Sequence, residues 1–197
     1  MNKTLFLIRH GHALHNELFH KMGVKAFRIP EVIDSPLTQK GIQQAQQLEN
    51  RWTNKKEIEL VLVSPLTRCL QTANTIFGKT KIPIVCQEFL REYPIGEDTC
   101  NMRSQTNSLK NDFPNIDFSD IHLKIDSLWT EERETIEQLN LRIELMIQYI
   151  QKRKEKKIAI VSHSSYLGQY KDNKIGYIEN GDKELKHCYP YEFKFKI

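Results

Sequence analysis

Four short apolar runs punctuate the chain, at residues 4–8, 60–63, 82–85 and 158–161, each separated from the next by a stretch long enough to hold a helix. Runs this short and this apolar suit strands buried on both faces, and strand alternating with helix implies a parallel sheet. The expected fold is an α/β three-layer sandwich, a mostly parallel central sheet with helices on both faces. After Thr38, the residues Ile42, Ala45, Leu48 and Trp52 recur at helical spacing; after Ser64 and Pro65, Cys69, Thr72, Ala73, Ile76 and Phe77 do the same, with Gly78 as a stop. A third helix is expected over residues 131–152, where Ile136, Leu139, Ile143, Met146, Ile147 and Ile150 form one stripe, with acids at its start and bases at its end. Residues 92–128 show little periodicity and read as an insertion or lid within one domain spanning 1–197. In the tail, Tyr191, Phe193 and Phe195 alternate as in a strand, and Asn180-Gly181 upstream suits a hairpin turn.

The totals narrow the function. A chain of 197 residues, 39% hydrophobic and 27% charged, can bury a sizeable core. A net charge of +4, with basic residues dispersed except for Lys152, Arg153, Lys154, Lys156 and Lys157 at a helix end, gives no reason to expect a nucleic-acid partner. No apolar stretch approaches the roughly 18 to 20 residues that span a bilayer, and Arg9 interrupts the first strand too soon for a signal peptide. The chain is therefore expected in the cytoplasm, without a membrane partner. Cys69, Cys86, Cys100 and Cys188 lack any CxxC pairing and read as thiols.

Three of the apolar runs end in polar residues suited to one task. Ile8 leads into Arg9-His10, Val63 into Ser64 with Arg68 a few residues on, and Val161 into Ser162-His163. Sites in open α/β sheets form where the carboxyl ends of parallel strands converge. Two arginines and two histidines placed there would surround a dianion, with helix-start amides adding positive charge, and phosphate is the obvious candidate.

In ordered blocks the chain resembles the histidine phosphatase superfamily, the group containing phosphoglycerate mutases. The blocks are "LIRHG" with Asn16 five residues beyond Gly11, "DSPLTQKGIQQA" at residues 34–45, "SPLTRCLQTA" at 64–73, "LRE" at 90–92 and "VSHSSYL" at 161–167. The resemblance implies that His10 forms a phosphohistidine while Arg9, Arg68 and His163 hold the phosphoryl oxygens, with Glu92 as acid and then base; Glu88 and Glu97 are its nearby competitors. Asn16 and Ser164 match positions near the phosphate, and Gly11 would let the backbone approach the ligand. The pairing His15-Asn16, with "GEDTCNMR" and "FPNIDFSDI", is similar to fungal and plant phosphoglycerate-mutase-like phosphatases, which implies Arg103 and Cys100 as site-lining. The chain departs from the commoner pattern at Ala13 and at Ser164-Ser165.

The chemistry fits these residue types, because a neutral imidazole is a competent nucleophile and a carboxyl beside a dianion keeps its proton. The expected activity is phosphomonoester hydrolysis of a small phosphorylated substrate, with no cofactor and no metal. A phosphoglycerate mutase uses the same residues, but only about thirty follow the last block, fewer than the closing tail of family mutases. A non-catalytic phosphate-binding scaffold and a homodimer are left open. A metal site among His10, His12, His15 and His20 is disfavoured, since a strand-to-helix turn would scatter those rings, leaving His12 and His20 exposed at the pocket rim. "GKT" at residues 78–80 lacks the first glycine of a P-loop, "HCYPYEFK" at 187–194 has lysine where a cysteine phosphatase needs arginine, and Ser162-His163-Ser164 lacks a nucleophile elbow.

Overall fold

The computed structural model describes residues 2–172 and 185–196. Five strands form one sheet in the order β3-β2-β4-β1-β5: β1 (Asn2–Arg9), β2 (Leu60–Val63), β3 (Ile84–Cys86), β4 (Lys157–Ser162) and β5 (Pro190–Lys196). The first four run parallel, and β5 pairs antiparallel with β1, Ile8 opposite Pro190. Expected strand 82–85 is shifted to Ile84–Cys86, because Pro83 has no N–H for the ladder and instead offers its carbonyl to Val61. The Asn180-Gly181 turn lies outside the described residues.

Alternation along each strand divides the core into two. Ile8, Val61, Val63, Ala159 and Val161 face one way, onto Ala45 and Leu48 of α2 (Gln39–Arg51) and Cys69, Leu70, Ala73 and Ile76 of α3 (Thr67–Phe77). Leu5, Leu7, Leu60, Leu62, Ile158 and Ile160 face the other way. They meet Leu139, Ile143, Met146 and Ile150 of α5 (Ile136–Lys152) and Tyr166 and Leu167 of α6 (Ser164–Asp172). Burying each Leu or Ile contributes about 1.5 to 3 kcal/mol, and both faces of the sheet carry them, so a one-residue register slip would be costly throughout.

Local chemistry fixes the helix ends. α5 begins at Ile136, not at 131, because Thr135 caps it: its hydroxyl accepts from Gln138 N, and the Gln138 side chain returns to Thr135 N at 2.8 Å. Glu134, just outside, is used elsewhere. Residues 92–128 contain α4 (Thr106–Asp112), and Phe113, Ile116, Phe118 and Ile121 join the α2/α3 core. Asp117 extends the sheet by a bridge to Val85. An additional helix, α1 (Leu14–Met22), follows the first strand. Among the described residues no helix is long and apolar enough to cross a membrane, and all four cysteines are free and buried.

Candidate active site

The carboxyl ends of β1, β4 and β2 lie side by side, which brings His10, His163 and Ser64 together: His10 N donates to Ser162 O at 2.9 Å and Ser64 N to Val161 O at 3.0 Å. His10 is buried, and its Nδ1 lies 2.7 Å from the Gly11 carbonyl. A carbonyl only accepts, so Nδ1 carries the proton and Nε2 the lone pair. Burial first, then the charge of Arg68 and the neighbouring His163, His187 and Arg9, hold this imidazole well below its ordinary pKa, so it is neutral. His163 sits with its ring centroid 5.2 Å from that of His10, fixed by Ser64 Oγ at 2.8 Å from Nε2 and wholly buried.

Arg9 lines the pocket that holds His10, whereas Arg68 does not line it but binds Cys100 and Asn101, which do. Arg9 Nη1 donates to Leu185 O at 2.9 Å. Arg68, on the first turn of α3, is 1% exposed; its Nη1 donates to Cys100 O at 2.7 Å and its Nη2 to Asn101 Oδ1 at 2.9 Å, leaving Nε buried without a partner. Ser164 Oγ, at the start of α6, is likewise buried without a partner and lines the same pocket. Buried donors left unsatisfied are costly, and both suit an anion.

Glu92 lines the pocket as well. Its Oε1 accepts from Tyr93 N at 2.8 Å and Tyr166 N at 3.1 Å, so the carboxyl sits at the start of α6. Burial lifts its pKa above the ordinary value, against the pull of those amides and Arg68. Its competitors are elsewhere: Glu88 pairs with Arg103 and Arg91, and Glu97 with Arg28 and Arg133. Behind Glu92, Arg142 of α5 donates to the carbonyls of Phe89, Arg91 and Glu92 and pairs with Glu134 at 2.6 Å, clamping the loop that carries the acid.

Several expected placements are corrected. Arg103 does not line the pocket: it pairs with Glu88 at 3.0 Å, and its Nη1 and Nη2 donate to Ser104 O, Thr106 Oγ1, Leu123 O and Ile125 O, which occupies both terminal nitrogens. Gly11 is small for a different reason than ligand access, since a Cβ there would lie 2.6 Å from Gly41 O. The close approach is to the first turn of α2, and Gly41 is under the same constraint, its Cβ falling 2.1 Å from His12 O. His12 lines the pocket but is buried, not exposed, its Nδ1 2.9 Å from Thr38 Oγ1, whereas His20 is exposed and lines the pocket too. Nor are the rings scattered by the turn: His15 on α1 lies 5.8 Å from His10, its Nδ1 2.7 Å from Ser35 Oγ. Asn16 accepts from Ala13 N through Oδ1 at 3.0 Å, which leaves its amide nitrogen for the pocket it lines. Cys100 lines the pocket too, its thiol pushed up to about 12 by burial. Among the described residues no three His, Cys, Asp or Glu side chains are grouped to hold a metal.

Two site residues were not expected. His187 donates from Nδ1 to the His10 carbonyl at 2.6 Å, lies 5.6 Å from the His10 ring, and is lowered to about 3 by burial and Arg9. Docking the alternating tail beside β1 would have pointed to it, since Pro190 opposite Ile8 puts the residues just upstream next to Arg9. Asn101, which receives Arg68, carries no comparable signal. The quoted blocks also supply wiring: Asp34 accepts from Thr67 N and Oγ1 at the start of α3, Gln44 from His12 N, and Thr72 from Gly11 N.

A tethered neutral imidazole, two guanidinium groups, a second imidazole and a buried carboxyl at the carboxyl edge of a parallel sheet define a phosphoryl-transfer enzyme. The chain belongs to the histidine phosphatase superfamily, branch 1, whose family model matches residues 5–170. It is 34% identical to phosphoglycerate mutase-like protein 1 of Arabidopsis thaliana, over 84% of this chain and 69% of that one. It is also 28% identical to a probable phosphatase of Schizosaccharomyces pombe, over 83% and 74% of the two chains. A phosphoglycerate mutase from Bacillus anthracis superposes with a TM-score of 0.61, covering 99% of this chain and 88% of that one, at 20% identity, which shows the α/β sandwich fold alone.

Proposed function

We propose that the protein hydrolyses phosphomonoesters in two steps through a phosphohistidine on His10. The observation that carries this is the 2.7 Å tether of His10 Nδ1 to Gly11 O, which leaves a lone pair on Nε2 of a neutral ring. Nε2 attacks phosphorus, the ester P–O bond breaks, and Glu92 gives its proton to the departing alkoxide. The Glu92 carboxylate then takes a proton from water, the water oxygen attacks phosphorus, and the P–N bond breaks to release phosphate and free His10. Arg9 and Arg68, with the Ser164 hydroxyl, answer the charge spread over the phosphoryl oxygens. His163 braces the nucleophile from the neighbouring strand.

Phosphate release from 4-nitrophenyl phosphate tests the reading. Wild type releases phosphate and yields an acid-labile adduct on His10 when quenched and analysed by mass spectrometry; His10→Ala does neither, and unchanged release from that variant refutes the mechanism. The relatives' names favour phosphoryl transfer between hydroxyls as a second reading, marked by interconversion of phosphoglycerates faster than release of phosphate. A cytoplasmic setting fits four unpaired thiols.

A further inference from the structure

The pocket is larger than a phosphoryl group requires. It encloses about 490 Å³, and Arg9, His10, Glu92 and Ser164 occupy one part of its wall. The lining also carries an apolar set: Phe19 from the outer half of α1, and Val24 and Phe27 from the short helix Gly23–Phe27. Phe19 and Phe27 stack face to face, 5.2 Å between centroids and 7° from parallel. The edge of His15 braces Phe27 from the His10 side at 5.8 Å, and His15 is itself fixed by Ser35, so the aromatic wall is rigidly joined to the nucleophile. Yet Phe19 is 41% and Val24 66% exposed. Apolar surface left wet at the mouth of a built site is surface that a ligand can dry.

Charge points the same way. Among the described residues lining the pocket, Arg9 is the sole permanent cation and sits at the phosphoryl end, whereas Asp98 lies on the lining too, receiving Arg28 Nε at 3.2 Å. A carboxylate or second phosphate on the substrate would find no second permanent cation on that lining, since Asp98 is already paired with Arg28 and the rest of the apolar side offers aromatic faces. We infer that the substrate is the monophosphate of a flat, apolar alcohol with no second anionic group, its ring system lying on the Phe19–Phe27 wall. The inference rests on the hydrolytic reading above and names the substrate class for that site.

Three esters with alkyl leaving groups separate recognition from leaving-group chemistry: 2-naphthylmethyl phosphate, glycerol 3-phosphate and 3-phosphoglycerate. With wild type, kcat/KM for the naphthylmethyl ester is expected to exceed that for glycerol 3-phosphate about a hundredfold, with 3-phosphoglycerate lower still. Phe19→Ala is expected to shrink the naphthylmethyl to glycerol ratio about tenfold, the value of one aromatic contact. Val24→Lys, at an exposed position, is expected to raise 3-phosphoglycerate relative to the naphthylmethyl ester about tenfold. Comparable or better turnover of 3-phosphoglycerate by wild type overturns the inference and leaves the hydrolase intact, as does a Phe19→Ala variant with an unchanged ratio. If no ester is hydrolysed, 4-nitrophenyl phosphate included, the hydrolytic reading falls and the substrate class falls with it.

Discussion

Lowering the pH from 7.5 to 5.5 should weaken the fold through histidines the chain buries neutral. His10, His15, His163 and His187 are all depressed by burial and by Arg9 or Arg68, His187 to about 3. In the unfolded chain each titrates near 6.5. Below that value the unfolded state binds protons that the native state refuses, so stability falls as pH falls, and it is fully present only above about 6.5. Each group costs about 1.4 kcal/mol between pH 7.5 and 5.5, so four cost about 5.6 kcal/mol, comparable with the whole stability of many domains. Glu88 and Glu92 act in the opposite sense, because carboxyls raised by burial take up protons natively first as pH falls. Comparing variants removes that contribution. His15→Asn keeps a polar amide beside Ser35 and His187→Asn keeps a donor to the His10 carbonyl, while each removes one titration. In urea unfolding at the two pH values, each variant should lose about 1.4 kcal/mol less than wild type, about 0.7 M in midpoint for an m-value near 2 kcal/mol/M. Equal losses in wild type and both variants would refute the account.

Three other outcomes follow from single contacts. Glu92→Gln should cut kcat about 10² to 10³-fold for alkyl phosphates but much less for 4-nitrophenyl phosphate, whose leaving group needs no proton; steady-state kinetics on both classes checks it. Arg142→Met strands Glu134 in a buried position and should cost about 3 to 5 kcal/mol, whereas adding Glu134→Leu should recover in thermal unfolding only the part due to the stranded carboxylate, since the carbonyls of Phe89, Arg91 and Glu92 stay unpaired. Gly41→Ala drives a Cβ to 2.1 Å from His12 O and should destabilise by about 3 kcal/mol, with kcat reduced because the displaced loop carries His10 and Gly11; urea midpoints and phosphate release measure both effects.

The parallel α/β plan, its buried strands and the strand-end groups Arg9-His10, Arg68 and His163 were readable from the chain, whereas Glu92 was indicated by the resemblance to the superfamily alone. Strand and helix periods, together with polar residues at strand ends, are local patterns that survive without coordinates. What stayed hidden is whatever depends on a partner chosen at long range. His187 reaches His10 across 177 positions only because β5 docks antiparallel on β1. Arg103 is withheld from the pocket because Glu88 and four oxygens reach it first. Gly11 and Gly41 are small because two backbones cross, a constraint invisible in either segment alone. Sequence fixes which groups are available and on which strand ends they stand. The packed structure decides which donors are already spent, and a spent guanidinium cannot also hold a phosphate.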